Sequence, residues 1–386
     1  MTNKKILIIT QHSLFDWKHN MNAYQRVLFG SQHADIYLLT RRKRVVSEEL
    51  SAKVHVHKAW VHWRPGFVVY AILYAAYLRP KRLHAVITEP SGFVIVGFVA
   101  KYLLRTAWVL DVWDRPRWRP GGHEGPPSRW SDRLVFWLMK RADLYILSVL
   151  RGAARDVNPD PSRCINVRNA LDLSQCAKTP VDREDEDRTL RLAYLRSRFS
   201  PNMGLDVLVE ATELATIQGA ELEVHLVGQL LRQGRELLQE SPVAERFVVH
   251  GTIDPLRRTE LFRSMHVGLV PYPAFEDLSY IYPIKVLEYL SQGIPVIASD
   301  LPGLAVMVRH RYNGLLIRPG DPSDLAEAMV LLWRDRTLWS ALAAHALESI
   351  REFDAEEKNA IIFHRIVHGL TAPGRVNEFG DARRHG

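Results

Sequence analysis

Residues 283–300, PIKVLEYLSQGIPVIASD, decide how this chain is read. They run as an amphipathic helix, a glycine stop, a proline and a strand of four apolar residues. Pro283 suits the first turn of a helix, where its missing N–H costs nothing. Gly293 suits the left-handed position just past a helix end. The helix so bounded is about ten residues long, with Ile284, Val286, Leu287 and Leu290 on its apolar side. Lys285 and Glu288 stand three apart near its front. A lysine there is unfavourable for the helix dipole, so the position calls for a bound anion such as a diphosphate. A carboxylate one turn deeper only accepts hydrogen bonds and suits two vicinal hydroxyls, such as those of a ribose. Spacing alone describes a solvated Lys–Glu pair equally well.

Outward from this block the chain alternates short apolar runs with helix-length amphipathic stretches, the pattern of parallel α/β sheets. The spacing predicts a first series of strands at 5–10, 35–40, 54–57, 85–88, 107–112, 144–148 and 165–168. A second series is expected at 190–195, 223–227, 247–250, 267–270 and 295–298. Helices are expected between the latter, at 204–217, 232–240, 255–264 and 283–292. Residues 174–189, SQCAKTPVDREDEDRT, are polar and charge-dense and read as a linker. The expected organisation is a doubly wound domain over 1–173, the linker, and a second doubly wound domain over 190–352. A helix at 353–370 is expected to pack back on the first domain, ahead of a disordered tail at 371–386. Ligands of such sheets bind at the carboxyl ends of the strands, here expected to face a cleft between the domains.

The totals agree with two domains: 386 residues exceed one ordinary core. The formal charge of +8 is uneven. Residues 1–180 hold 28 Lys and Arg against 13 Asp and Glu, or +15, and the remainder carries −7. The basic half should attract an anionic partner. Cys164 and Cys176 form no CxxC pair, so neither a disulfide scaffold nor a structural zinc site is indicated. The start, MTNKKILIIT, runs straight into a strand-like segment without cleavable signal architecture, giving a cytoplasmic location as the expectation. The longest apolar run, FVVYAILYAAYL at 67–78, is too short to span a bilayer and suits a buried or interfacial helix.

The block P-x-K-x-x-E-Y-x-x-x-G-x-P-V-I-A-S resembles the nucleotide-sugar site of the retaining glycosyl transferases group 1, the family 4 kind of the GT-B fold. Further matches follow in chain order. Residues 142–148 and NVRNALD at 166–172 are similar to the family's A-D-x-x-x-x-S and N-G-V-D. LRSRFSPNMGLD at 195–206 resembles its G-R-L-x-x-x-K-G-x-D, LVG at 226–228 its LVG, and 249–251 its strand-glycine. NGLLIRPGDPSD at 313–324 resembles its N-G-L-L-V-x-P-G-D. The likeness is strong over 190–335 and weak before 105.

The resemblance implies two Rossmann-like domains and transfer of a sugar from a nucleotide diphosphate, with retention and without a metal or other cofactor. It implies that Arg198 and Lys285 hold the diphosphate, that Glu288 takes the ribose hydroxyls, and that Gly251, Tyr280, Glu276 and Leu287 line the nucleotide sugar. Preorganised cations would stabilise the charge that builds on the leaving diphosphate. Asp114, ending VLDVWD, is the implied acceptor-side base or contact. Three positions depart from the pattern. Met203 stands where a lysine is usual, Tyr280 replaces a glutamate eight residues before Glu288, and the glycine pair of the first loop is absent from HSLFDWKHNMNAYQR.

Residues 113–130 interleave tryptophans and arginines among prolines and glycines. With RRKR at 41–44, WVHWR at 60–64 and RPKR at 79–82, they suggest an anionic membrane surface and a lipid-linked saccharide acceptor. Single-stranded nucleic acid would also suit aromatic and basic residues, but these lie on separate loops and no nucleic-acid motif is visible. A sugar-nucleotide epimerase or a phosphorylase of the same fold is the alternative enzyme reading. No HExxH spacing occurs, and of the acidic clusters, DVWD is flanked by apolar residues while REDED lies in the linker, so metal-dependent chemistry lacks support.

Overall fold

The computed structural model describes residues 4–10, 12, 14, 22–61, 64–81, 83–90, 93–113, 130–149, 160–177, 188–200, 204–274 and 279–369. Asp114, Met203 and Glu276 lie outside them, as do most of 113–130, the centre of the expected linker and the tail at 371–386. The chain divides into two compact units, Met1–Ala170 with Ala355–Gly386, and Leu171–Asp354.

The first unit is a seven-stranded parallel sheet. Its strands are β1 (Lys5–Ile9), β2 (Asp35–Arg41), β3 (His55–Ala59), β4 (Leu83–Thr88), β5 (Ala107–Val112), β6 (Leu144–Leu147) and β7 (Cys164–Asn166), in the order β3-β2-β1-β4-β5-β6-β7. The order reverses between β1 and β4, which is the switch point of a doubly wound sheet. Its helices are α1 (Asn22–Gly30), α2 (Glu48–Lys53), α3 (Arg64–Leu78), α4 (Val94–Tyr102) and α5 (Trp130–Met139). The buried faces of α3 and α4, through Phe67, Ala71, Ala75, Val96 and Ala100, close one core over β1, β2 and β4.

The second unit is a six-stranded parallel sheet of β8 (Leu190–Phe199), β9 (Leu222–Leu230), β10 (Phe247–Gly251), β11 (Val267–Val270), β12 (Val296–Ser299) and β13 (Gly314–Ile317), in the order β10-β9-β8-β11-β12-β13. Here the switch point lies between β8 and β11. The helices are α6 (Leu205–Ile217), α7 (Arg232–Glu240), α8 (Pro255–Arg263), α9 (Ile284–Leu290), α10 (Pro302–Ala305), α11 (Pro322–Arg334) and α12 (Arg336–Ser349). The last helix, α13 (Ala355–His368), belongs to the first unit. It packs on α1 so closely that a Cβ on Gly30 would stand 2.3 Å from the Phe363 ring.

Three elements differ from the sequence reading. Strand β13 is a four-residue run between the turn signals of Asn313 and RPGD, and those signals hid it. Strands β8 and β9 run on past the core as a paired extension, with Arg198 opposite Gln229 and a register shift between Leu195 and Arg198. Gly228, at φ +145, permits the shift, since a Cβ there would lie 1.7 Å from the Arg196 carbonyl oxygen. Helix α9 has seven residues rather than about ten. Pro283 is its extended N-cap, at ψ 117, and not a member of the first turn. At the far end Gly293 is left-handed, at φ +67, as the stop signal requires.

Candidate functional site

In the second unit the basic residues converge on one ring at the switch point. Tyr272, just beyond β11, is 3% exposed. Arg196, in the extension of β8, holds its guanidinium 5.0 Å from the ring centroid, and Lys285, in the first turn of α9, holds its ammonium 5.5 Å from it. These two half-buried cations on one buried ring make no ion pair among the described residues, which suits an anion between them. The Tyr272 carbonyl oxygen accepts from Ser299 Oγ at 2.7 Å, tying the ring's backbone to the end of β12.

Helix α9 is fastened to the sheet by the residue after Glu288. The Tyr289 hydroxyl accepts the Leu195 N–H at 2.7 Å and donates to the Ala193 carbonyl at 3.0 Å. Its ring lies where a side chain on Gly268 of β11 would stand, with a Cβ there only 2.4 Å away. Burial raises the Tyr289 pKa well above that of an ordinary phenol, so the hydroxyl keeps its proton and both bonds. Thus Tyr289 fixes where Lys285 and Glu288 present themselves.

Glu288 is half-buried and engaged from outside its own motif. Arg258 of α8 donates from Nη2 to Glu288 Oε1 at 2.8 Å. The carboxylate is thereby oriented through Oε1, and among the described residues Oε2 accepts from no donor. The other residues named from the sequence are dispersed in character. Arg198 is exposed at the end of β8. Gly251 ends β10 in the left-handed region at φ +67, and a Cβ there would meet nothing within 4 Å, so the space over it is open. Tyr280 is half-buried beside Ile281. Leu287 is fully buried, so its side chain packs the interior and only its backbone could face a ligand. Asp114 and Glu276 lie outside the described residues. Two residues escaped the sequence reading: Arg196, although it lies in the same LRSRF segment as Arg198, and Arg258, thirty residues from its partner.

The matched motifs also contain purely structural members. Asn313 of NGLL is buried, accepting the Arg309 N–H at 2.7 Å and donating to the Met307 carbonyl and Ser349 Oγ, both at 3.0 Å. Asp321 of PGD caps α11 by accepting from the Asp324 N–H.

The first unit has a polar cluster at its own switch point. Thr10, after β1, donates to Glu89 Oε1, after β4, at 2.7 Å. His12 Nε2 stands 3.5 Å from Glu89 Oε2, and the His12 ring meets Trp113 edge-on at 5.7 Å between centroids. The Glu89 side chain is 7% exposed and that of His12 37%, so a buried carboxylate backs an accessible imidazole. Behind them Asp111 of DVWD is buried in an ion pair with Arg26, Nε to Oδ2 2.9 Å, which accounts for that carboxylate structurally.

Residues 191–335 match the family model described as glycosyl transferases group 1. The phosphatidyl-myo-inositol mannosyltransferase of Mycobacterium leprae is 28% identical over 195 residues, half of each chain. A D-inositol 3-phosphate glycosyltransferase of Nocardioides is 28% identical over 243 residues, 57% of this chain and 52% of the relative. The chain thus spans about half the length of the curated relatives it matches. Among solved structures, HepE of Anabaena in complex with UDP and glucose superposes with a TM-score of 0.70 at 18% identity, over 94% of this chain and 99% of that one. That likeness gives the fold, two Rossmann-like units of the GT-B class. Over residues 191–335, then, the chain is similar to the glycosyl transferases group 1 family.

Proposed function

We propose that the protein transfers a sugar from a nucleotide diphosphate to a saccharide acceptor carried on a lipid. The observation that carries this reading is the convergence of Arg196 and Lys285 on Tyr272 at the switch point, with Glu288 one turn behind. In the proposed reaction the bond from the anomeric carbon to the β-phosphate oxygen breaks with its electron pair on that oxygen. The acceptor hydroxyl oxygen bonds to the anomeric carbon, and its proton leaves to the solvent or to the released diphosphate. Arg196, Lys285 and Arg198 stabilise the charge that grows on the leaving group, which is the role a metal plays elsewhere. Glu288 accepts from the ribose hydroxyls, and Gly251 leaves room for the nucleotide.

The reading draws support from the family match over 191–335, from HepE, which was solved with UDP and glucose, and from a relative named for acting on phosphatidyl-myo-inositol. Retention at the anomeric carbon and independence of metal belong to the same proposal. In the first unit, His12 with its ring backed by Glu89, and Asp114 one residue past Trp113, are the proposed contacts for the acceptor. A thermal-shift series with UDP, GDP and their sugars tests the donor half, because a ligand of the folded state raises the melting temperature. Failure of every nucleoside diphosphate to raise it overturns the reading.

A further inference from the structure

Helix α3 carries no charged side chain after Arg64, yet it is not enclosed. Phe67, Ala71, Ala75 and Leu78 face the sheet and are buried. Val69, Leu73 and Tyr77, four apart and hence on one opposite face, are 57%, 63% and 62% exposed. Helix α4 packs between α3 and α5, and both neighbours continue the apolar surface. Ile95 and Tyr102 on α4, Leu103 at its end, and Trp137 on α5 are 42%, 50%, 70% and 47% exposed. Phe98 joins the last two helices by ring contacts, 4.6 Å to Tyr102 and 5.9 Å to Trp137 between centroids. Of the twelve large apolar side chains exposed among the described residues, eight lie on this one layer. A concentration of that kind marks an interaction surface.

The edges of the layer are basic. The Arg141 guanidinium lies 3.3 Å from the centroid of the Trp137 ring, and Lys101 Nζ 5.5 Å from that of Tyr102. At the front of α3, Arg41 stacks on Phe67 at 5.5 Å, next to the exposed Arg42, Lys43 and Arg44 and to Trp60, which is 68% exposed. Arg79 is exposed at its rear. We infer that the outer layer of α3, α4 and α5 lies on an anionic lipid bilayer, with the aliphatic and aromatic stripe in the interface and the cations among the headgroups. A second copy of the chain is a poorer occupant, because two such faces brought together oppose cation to cation. No described helix is long and apolar enough to cross a membrane, so the contact is one of lying on the surface. The inference rests on the proposed function only for its purpose, which is to bring the enzyme to a lipid-borne acceptor.

The test is flotation of the full chain with vesicles of phosphatidylcholine alone or with three-tenths phosphatidylglycerol. The expected result is capture by the anionic vesicles, reduced at least tenfold by Leu73→Glu and by Trp137→Glu and unchanged by Ile217→Glu. Ile217 is the control because it is 74% exposed on α6, in the other unit. These positions are exposed, so circular dichroism should match wild type. Equal capture of all the variants, or none of wild type, overturns the inference. So does a concentration-dependent dimer that Leu73→Glu dissociates while wild type ignores lipid. The thermal shift with UDP or GDP, run on the same proteins, should be the same for Leu73→Glu as for wild type. Vesicle binding by a wild type that responds to no nucleotide would sink the donor site and leave this surface standing.

Discussion

Arg258 holds Glu288 from a different helix, Nη2 to Oε1 at 2.8 Å, with side-chain exposures of 23% and 12%. The pair fixes one carboxylate oxygen and so aims the other. Because the pair is mostly buried but not sealed, its loss should cost about 1 kcal/mol of stability, or roughly 2–4 °C in melting temperature. Arg258→Ala should therefore fold, melt slightly earlier, and bind nucleoside diphosphate several-fold more weakly. Calorimetric titration reads the last effect. Undiminished affinity would mean that Arg258 has no part in positioning Glu288.

Tyr289 gives a sharper stability prediction. Tyr289→Phe keeps the ring against Gly268 but strips the Leu195 N–H and the Ala193 carbonyl of their shared partner. A buried donor left without a partner costs about 1–3 kcal/mol, so thermal unfolding should come earlier by roughly 3–10 °C. Nucleotide affinity should fall too, since α9 loses its anchor to β8.

Two glycines should differ in how much alanine costs them. At Gly228 the new Cβ would collide with backbone, 1.7 Å from the Arg196 carbonyl oxygen, so the β8–β9 extension must shift and take Arg196 with it. A loss above about 3 kcal/mol is expected. At Gly251 a Cβ meets nothing, and only the left-handed backbone is strained, at about 1–2 kcal/mol. If the nucleotide occupies that open space, Gly251→Ala weakens binding more than its small change in melting temperature suggests. Equal tolerance at both positions in a denaturation series would contradict the placement of Arg196.

Acid should destabilise the second unit through two stacked histidines. His225 Nδ1 and His250 Nε2 are 2.9 Å apart. Burial lowers the pKa of both below the usual 6.5, with Glu223 opposing the shift. The unfolded chain therefore binds protons first as the pH falls. The stability these rings contribute is fully present above about pH 6.5 and is lost as the pH drops toward their folded-state values. The melting temperature should decline from pH 7 to 5, and His225→Gln should flatten part of that decline. A pH profile identical to wild type would remove the pair as its cause.

Legibility from sequence followed the range of the interactions. Lys285, Glu288 and Gly293 lie within one helix and its stop, where period and turn chemistry are local, and α9 and β12 stand where the block placed them. Pro283 was misplaced by one position because a proline serves as N-cap or first residue with nearly the same φ. Arg258 and Tyr289 work across thirty and nearly a hundred residues, so no spacing announces them. The Thr10–Glu89–His12 cluster is hidden for the same reason, since only the sheet order brings the ends of β1 and β4 together. The run at 67–78 was legible as a buried or interfacial helix. Its outer face depends on packing that spacing does not show, which leaves Val69, Leu73 and Tyr77 more than half exposed. Conversely, Asn313 and Asp321 carry part of the family resemblance and serve to hold a turn and a helix cap.

The account depends on Lys285 and Glu288 gripping a nucleoside diphosphate at the β8–β11 switch point. Isothermal titration of UDP and GDP into wild type, Lys285→Ala and Glu288→Ala measures this directly. The account predicts a dissociation constant about tenfold or more higher in each variant for whichever nucleotide wild type binds, from loss of a charge-assisted bond. Affinities indistinguishable from wild type in both variants would contradict it.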